Sequence, residues 1–452
     1  MEANFFIKVD NRLKDIFSKK LSFHELFKSS LINFFFRILG LVLNYVFTIA
    51  ITRNFGAEAF GYYNLAFVFL QFAVMLNLFG LDSTALKFVS EYTSLPDGKR
   101  KISVFYRKVF LFTTLFGILL TLFAYGLADY LAVAIFNKPE VSEHIQIISL
   151  AILPLALIKV NTNVLLGIKK VVQYSFLHNA SVPAGAIVII LILYNNSEPF
   201  IPTISYSAAT CITAIISFVL IVLYGKISVK KGEGIRFKKI FGTSYHMFLS
   251  SSALFIAGWV DIIMLGIFSD AEALGIYGAA SKVARVTILF IVSIGVISAR
   301  EFAAHHANKN MPELKKSIYN ASRLSFLFTT PLIIFLFVFM DPVLGLFGEE
   351  FRAAKLPLAV LLISQYFNAL TGPTDQILNM TDNQSILKNI NFIAIISNIG
   401  LNFILIPYYG ILGAAIATGV SNVFMNLSCT FYIWKRLGII SFYLPFLKKS
   451  HI

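Results

Sequence analysis

Apolar and polar positions along this chain are sorted into long blocks, not into the 2-residue or 3.6-residue alternation of a half-buried strand or helix. Runs of roughly twenty apolar residues, long enough to cross the hydrocarbon of a bilayer as a helix, occur at 30–52, 61–82, 103–128, 145–168, 174–194, 200–225, 246–268, 276–299, 318–341, 355–379, 385–406 and 411–434. They predict an all-α integral membrane protein with twelve transmembrane helices. The polar connections between the blocks are short, so no separate soluble domain is expected.

The composition agrees. Of the 452 residues, 57% are hydrophobic and only 13% charged, against about a quarter charged in soluble domains. The net charge of +15 would suit nucleic acid, but its distribution does not. With a cytoplasmic N-terminus, 30 of the 38 Lys and Arg fall in alternate connections and at the two ends. The opposite connections hold only Arg53, Lys138, Arg352 and Lys355. That asymmetry is the positive-inside rule. It predicts a multi-pass protein of the cell membrane with both termini cytoplasmic, and no nucleic-acid partner. Residues 1–29 have no uninterrupted apolar core, so they do not read as a cleaved signal peptide; Phe5, Phe6, Ile16, Phe17, Leu21 and Phe27 among basic residues predict an amphipathic segment on the inner membrane surface. Cys211 and Cys429 each lie alone inside a span, which gives neither a disulfide framework nor a metal set. No Gly-rich phosphate loop with its lysine is present.

A short internal repeat organises the spans. Ala57-Glu58-Ala59-Phe60-Gly61-Tyr62-Tyr63 returns as Ala271-Glu272-Ala273-Leu274-Gly275-Ile276-Tyr277, both copies falling between the first and second span of a six-span set. Each set also has a basic connection after its second span. An even number of spans per set gives the two the same orientation, related by an axis along the membrane normal. The expected organisation is an N-terminal segment 1–29, a six-helix bundle 30–225, a basic linker 226–245, a second six-helix bundle 246–434 and a tail 435–452. Two parallel repeats of this kind enclose a central cavity, where a transport path is expected.

Four cations lie inside spans: Arg37, Lys159, Lys282 and Arg285. On insertion scales such a charge costs roughly 2.5–3.5 kcal/mol at mid-bilayer, so each needs a reason. Snorkelling of the stem toward the interface is one. Arg37, Lys159 and Lys282 stand about 10, 13 and 9 Å inside their nearest boundaries by helical rise, and Arg285 is deeper still. Lys282 and Arg285, three apart, share a helix face. Acidic residues in spans are fewer, Asp261 and Asp375, with Asp82 at a boundary. The excess of cations suits an anionic substrate, guanidinium groups matching phosphate oxygens in geometry. In the competing reading Asp261 merely neutralises Lys282 or Arg285. Asn398 and Asn402, four apart on one helix face, with Thr418 and Asp261, could supply oxygens to a hard monovalent cation or could serve only as helix–helix hydrogen bonds. His305-His306 lacks a third ligand at usable spacing.

These features resemble the polysaccharide-export flippases of the superfamily that includes the lipid II flippase and the multidrug and toxin extrusion antiporters. The resemblance is carried by Phe35-Phe36-Arg37-Ile38-Leu39-Gly40, Arg53-Asn54-Phe55-Gly56, Glu58-Ala59-Phe60-Gly61-Tyr62-Tyr63, Phe79-Gly80-Leu81, Trp259-Val260-Asp261, Leu401-Asn402-Phe403-Ile404-Leu405-Ile406-Pro407 and Gly410-Ile411-Leu412-Gly413-Ala414-Ala415. It covers roughly residues 25–436. It implies a flippase, not an enzyme, that carries an oligosaccharide on a polyprenyl diphosphate from the inner to the outer leaflet. Arg37 and Arg285, with Lys159 and Lys282, would be its substrate-binding residues. The lipid II flippase holds Na⁺ at positions that correspond to Asp261, Asn398, Asn402, Ala414 and Thr418. Asn402 departs from it, being an amide where the relative has a carboxylate, so Na⁺ or H⁺ both stand as candidate coupling ions. No other cofactor is implied; membrane lipids and other polysaccharide-assembly proteins are the implied partners. The rivals are a multidrug antiporter of the same fold, which would favour acidic residues in its cavity, and a membrane polymerase or glycosyltransferase. The latter would need a sizeable outer loop with acidic or His groups, and the longest, 129–144, offers only Asp129, Glu140, Glu143 and His144.

Overall fold

The structure, a computed structural model, describes residues 2–193, 195, 197–225 and 236–443 and, from Ser29 onward, their side chains except that of Leu254. The side chains expected to give the N-terminal segment its apolar face, the basic positions Lys230 and Lys231 and the last nine residues therefore lie outside what is described.

Among the described residues every regular element is helical. In chain order they are α1 (Glu2–Leu78), α2 (Leu81–Thr93), α3 (Gly98–Gly126), α4 (Val141–Ser149), α5 (Ile152–Gly167), α6 (Val171–Asn179), α7 (Ser181–Ile192), α8 (Ile201–Gly225), α9 (Phe237–Phe268), α10 (Ala271–Arg285), α11 (Ile288–Ala307), α12 (Met311–Val338), α13 (Lys355–Thr371), α14 (Thr374–Met380) and α15 (Gln384–Leu437), with short helical turns between α3 and α4 and between α12 and α13. Among the described residues, seven helical stretches are long and apolar enough to cross a membrane, or up to ten when three bent pairs each count as one. Many large apolar side chains are exposed: Leu111, Leu115, Leu119 and Leu122 form a stripe along α3 at helical spacing. Such a face is a liability in water and the expected face toward lipid.

The breaks have local causes. From Ser29 to Leu78, α1 runs 50 residues, about 75 Å if straight against a hydrocarbon core of about 30 Å. Gly56, at φ 81°, interrupts it with a backbone conformation that suits glycine. Gly410, at φ 53°, does the same in the 54-residue α15. The 44° bend between α4 and α5 and the 45° bend between α6 and α7 lie just before Pro154 and Pro183. Each proline lacks an N–H, and its ring clashes with the carbonyl four residues earlier, which ends the preceding helix there.

The repeated motif sits where α1 crosses α10. A Cβ on Gly61 would overlap the Ala271 carbonyl, and one on Gly275 would overlap the Ala57 carbonyl. The two contacts are reciprocal: each glycine receives the first alanine of the other copy. At the same end of the molecule, away from the basic connections, the Arg53 guanidinium donates to the carbonyls of Gly345 (2.7 Å) and Leu346 (2.8 Å). The Ala57 N–H donates to Glu350 Oε1 at 2.7 Å, and Lys138 Nζ to the Gly266 carbonyl at 2.6 Å. At the end bearing the basic connections, α9 begins at Phe237, inside the stretch expected as a linker, because Ile240 is buried and the half-buried Phe241 packs on the N-terminal part, meeting the Phe112 ring edge-on at 4.9 Å. Thr84 Oγ1 and Ser244 Oγ are 3.1 Å apart, and Phe79 stacks on Phe248 at 4.6 Å. A 44° bend near residue 254 then carries the second part of α9, with Trp259 and Asp261, toward α15.

Candidate functional site

Asp261 is the centre of a buried polar cluster. Its Oδ2 accepts from Thr418 Oγ1 at 2.5 Å and from the Tyr277 hydroxyl at 2.9 Å, and its Oδ1 accepts from Asn402 Nδ2 at 3.1 Å. The Asn402 amide also donates to Asn398 Oδ1 at 3.0 Å, and Asn398 Nδ2 donates to Thr418 Oγ1 at 3.2 Å. Asn398 and Asn402 meet Asp261 together because they are one helical turn apart. Thr418 reaches the same point because the chain turns back at Gly410. Asp261, Asn398, Asn402 and Tyr277 are all buried.

The cluster answers one question the sequence left open. Every described hydrogen-bond partner of the Asp261 carboxylate is a neutral donor, so neither Lys282 nor Arg285 neutralises it. Asn402 Oδ1 is buried with no partner among the described residues, an arrangement that normally costs about 1–3 kcal/mol. The Asn402 NH₂ stands between Asp261 Oδ1 and Asn398 Oδ1. Rotating that amide by half a turn would exchange the donor for an acceptor. The cluster would then present a carboxylate, two amide oxygens and a hydroxyl, an all-oxygen set of the kind hard cations take. Four of the five side chains were legible as candidates. Tyr277 was not, although it is the seventh position of the repeated motif.

The cations divide into two groups. Lys282 Nζ donates to Thr48 Oγ1 at 2.8 Å and lies 4.9 Å above the Phe60 ring, while its carbonyl accepts from the Tyr45 hydroxyl at 2.5 Å. Arg285 Nη2 donates to the Gly258 carbonyl at 2.7 Å and its guanidinium sits 5.5 Å from the Trp259 ring. Both bridge α10 to neighbouring elements, α1 for Lys282 and α9 for Arg285. Arg37 projects within about 20° of Thr48 around α1 and lies about 16 Å nearer the basic end. Lys159 is half-buried on α5, its Nζ donating to Gln71 Oε1 at 3.2 Å. Arg37 and Arg285 keep exposed side chains. Among the described residues no carboxylate comes within ion-pair distance of any of the four; the described ion pairs join Lys101 to Asp97, His306 to Asp382, Lys316 to Glu313, Arg352 to Glu349 and Lys355 to Asp341. Lys282 and Arg285 are brought together on α10, whereas Lys159 contacts Gln71 and Arg37 stands apart on α1.

Similar proteins share this architecture. A multidrug-resistance MATE transporter solved in an inward-facing conformation superposes with a TM-score of 0.75 at 13% identity, over 90% of this chain and 98% of that one. The lipid II flippase MurJ, in an inward closed conformation, gives 0.71 at 16% identity, over 90% and 87%. In sequence, a putative O-antigen transporter of Shigella flexneri is 24% identical over 384 residues, 82% of this chain and 88% of that protein. The probable low-salt glycan biosynthesis flippase Agl15 of Haloferax volcanii is 28% identical over 198 residues, 43% of this chain and only 41% of that protein's own length. The MatE family pattern matches residues 247–404. That of the family described as polysaccharide biosynthesis protein matches residues 26–300, and with more than half of its length so matched, this chain belongs to the polysaccharide biosynthesis protein family.

Proposed function

We propose that this protein is a flippase that moves an oligosaccharide linked to a polyprenyl diphosphate from the cytoplasmic to the outer leaflet of the cell membrane, for assembly of a surface polysaccharide. The observation that carries the reading is that Arg37, Lys159, Lys282 and Arg285, all inside apolar helices, have no carboxylate within ion-pair distance among the described residues, while Asp261 is engaged by neutral donors. A diphosphate supplies the missing negative charge, and Arg37 and Arg285 have the planar fork that grips two of its oxygens. Lys159 and Lys282 add charge without that geometry. Such a protein moves its substrate without breaking a bond in it, working alongside the other proteins of polysaccharide assembly and not as an enzyme. The relatives described as O-antigen transporter and glycan-biosynthesis flippase support this reading over drug export.

The architecture we infer is twelve transmembrane helices in two parallel six-helix repeats. Dividing α1 at Gly56 and α15 at Gly410, and counting each bent pair as one span, is consistent with that number. The reciprocal Gly61–Ala271 and Gly275–Ala57 contacts support the twofold relation. The basic connections support cytoplasmic termini. Alternating access would then require the contacts of Arg53, Glu350 and Lys138 to open at the outer end. We assign Asp261, Asn398, Asn402 and Thr418 as the site of a coupling cation, Na⁺ or H⁺. Bound there, the cation would neutralise the carboxylate and release the Tyr277 hydroxyl to another partner, linking ion occupancy to the packing of α9, α10 and α15.

The test is an Arg37→Gln, Arg285→Gln double variant. It keeps the side chains polar and unbranched in their stems while removing the charge. Expressed at wild-type level, it should lose surface glycan and accumulate the lipid-linked intermediate; single Lys replacements should restore export in part. Normal surface glycan in the double variant would refute the assignment of these two residues.

A further inference from the structure

A cavity of about 360 Å³ lies inside the C-terminal bundle, and the Asp261 cluster forms one end of it, through Asn398 and Thr418. From there its lining runs along α15 past Ser421 and Asn422 to Cys429 on one side, and past Asn391 to Leu387 on the other. Each arm covers eleven residues, about 16 Å of helix, directed toward the end of the molecule that carries the basic connections. Asp375, at the start of α14, lines that same cavity.

The lining is too polar to be dry packing. Ser421 is 5% exposed and its Oγ has no partner among the described residues. Asn391 Oδ1, also in the lining, is buried without one as well. Buried polar atoms are ordinarily satisfied, by protein or by water, and this volume accommodates about ten waters at the liquid share of roughly 30 Å³ each. Asp375 is the one acidic side chain among the described residues that line this cavity. Intramembrane carboxylates that line hydrated cavities typically mark ion pathways.

We propose that this cavity is a hydrated path by which a small monovalent cation passes between the basic face of the membrane and the Asp261 cluster, with Asp375 as the carboxylate that draws the cation in. The inference rests on reading the Asp261 cluster as a cation site. It adds the route and the direction: cation exchange with the cluster runs inside the C-terminal bundle, separately from the cations assigned to the lipid-linked substrate.

The experiment uses full-length protein in membrane vesicles, with Cys211 and Cys429 replaced by Ser and a single Asn422→Cys introduced. Lys316→Cys, in a basic connection, marks the sidedness. Asn422→Cys should react from the basic side with thiosulfonate reagents. The cationic 2-aminoethyl reagent should react about tenfold faster than the anionic 2-sulfonatoethyl reagent, the ratio that opposite unit charges give when they pass within about 6 Å of one carboxylate in a watery path. Asp375→Asn should abolish that ratio, and Asp375→Glu should keep it. No labelling from the basic side, or a ratio unchanged by Asp375→Asn, would overturn the path. The underlying site is read separately, by the Na⁺ and pH response of Trp259 fluorescence. If Asp261→Asn leaves that response as in the wild type, the cluster is not the cation site and the inference falls with it, whatever the labelling shows. A response lost in Asp261→Asn together with failed labelling sinks the path alone.

Discussion

Replacing Asn402 by Asp tests the cation site through its charge. The Asn402 amide lies 3.1 Å from Asp261 Oδ1, so the substitution sets a second carboxylate beside the first with almost no change of shape. A unit charge about 4 Å from a cation, at an effective dielectric near 20, attracts it by about 4 kcal/mol. Mutual repulsion of the two carboxylates invites a proton to one of them, and that competition offsets about half of the gain. A net gain of about 2 kcal/mol corresponds to roughly thirtyfold tighter Na⁺ binding. Asp261→Asn removes the only charge in the cluster, and the same arithmetic gives a loss of about 4 kcal/mol, or roughly a thousandfold. The chain contains two tryptophans, and Trp259 stands two residues from Asp261. A Trp434→Phe background therefore leaves one fluorescent reporter at the site. Na⁺ titrations in that background should give midpoints ordered Asn402→Asp below wild type below Asp261→Asn. Asn402→Asp should also lower thermal stability without Na⁺ and recover it as Na⁺ is added, since a ligand stabilises the state it binds. Midpoints of both variants within twofold of wild type would refute the reasoning.

Two further outcomes test the outer contacts. Gly61→Ala and Gly275→Ala should each cost about 1–3 kcal/mol of stability by overpacking, seen as a lower Tm of the purified protein; because their contacts are reciprocal, the two losses should be similar, and a loss in one variant alone would count against the twofold relation. Glu350→Ala removes a charge-assisted hydrogen bond to the Ala57 N–H, a contact worth about 1.5–3 kcal/mol, and should speed amide exchange in a peptide spanning residues 50–60, whereas unchanged exchange would show that the contact does not hold the outer end shut.

How much of this was legible beforehand depended on whether the signal was a side chain or a main-chain atom. Hydropathy located the apolar blocks because each must satisfy its backbone within itself in lipid, and Asp261, Asn398, Asn402 and Thr418 stood out as polar groups in hydrocarbon at helical spacing. The bends before Pro154 and Pro183 were written in the sequence too, as prolines that end a helix four or five residues upstream, but proline within an apolar run is compatible with either a kink or a straight span. Tyr277 was hidden by its chemistry: a tyrosine in an outer-loop motif reads as an interfacial aromatic until its hydroxyl is seen on Asp261. Arg53 was counted only as one of the few basic residues on the sparse side. Its partners are the carbonyls of Gly345 and Leu346, and a main-chain acceptor has no residue type to betray it. The same holds for the Gly258 carbonyl that takes Arg285. Sequence depth made Arg285 a guanidinium in need of a partner, and the structure supplies a backbone oxygen and an indole face while leaving the side chain exposed. One neutral acceptor and a ring leave most of the five guanidinium donors unspent. That remainder, and not the depth of the residue, is the physical reason to expect Arg285 to meet an anion.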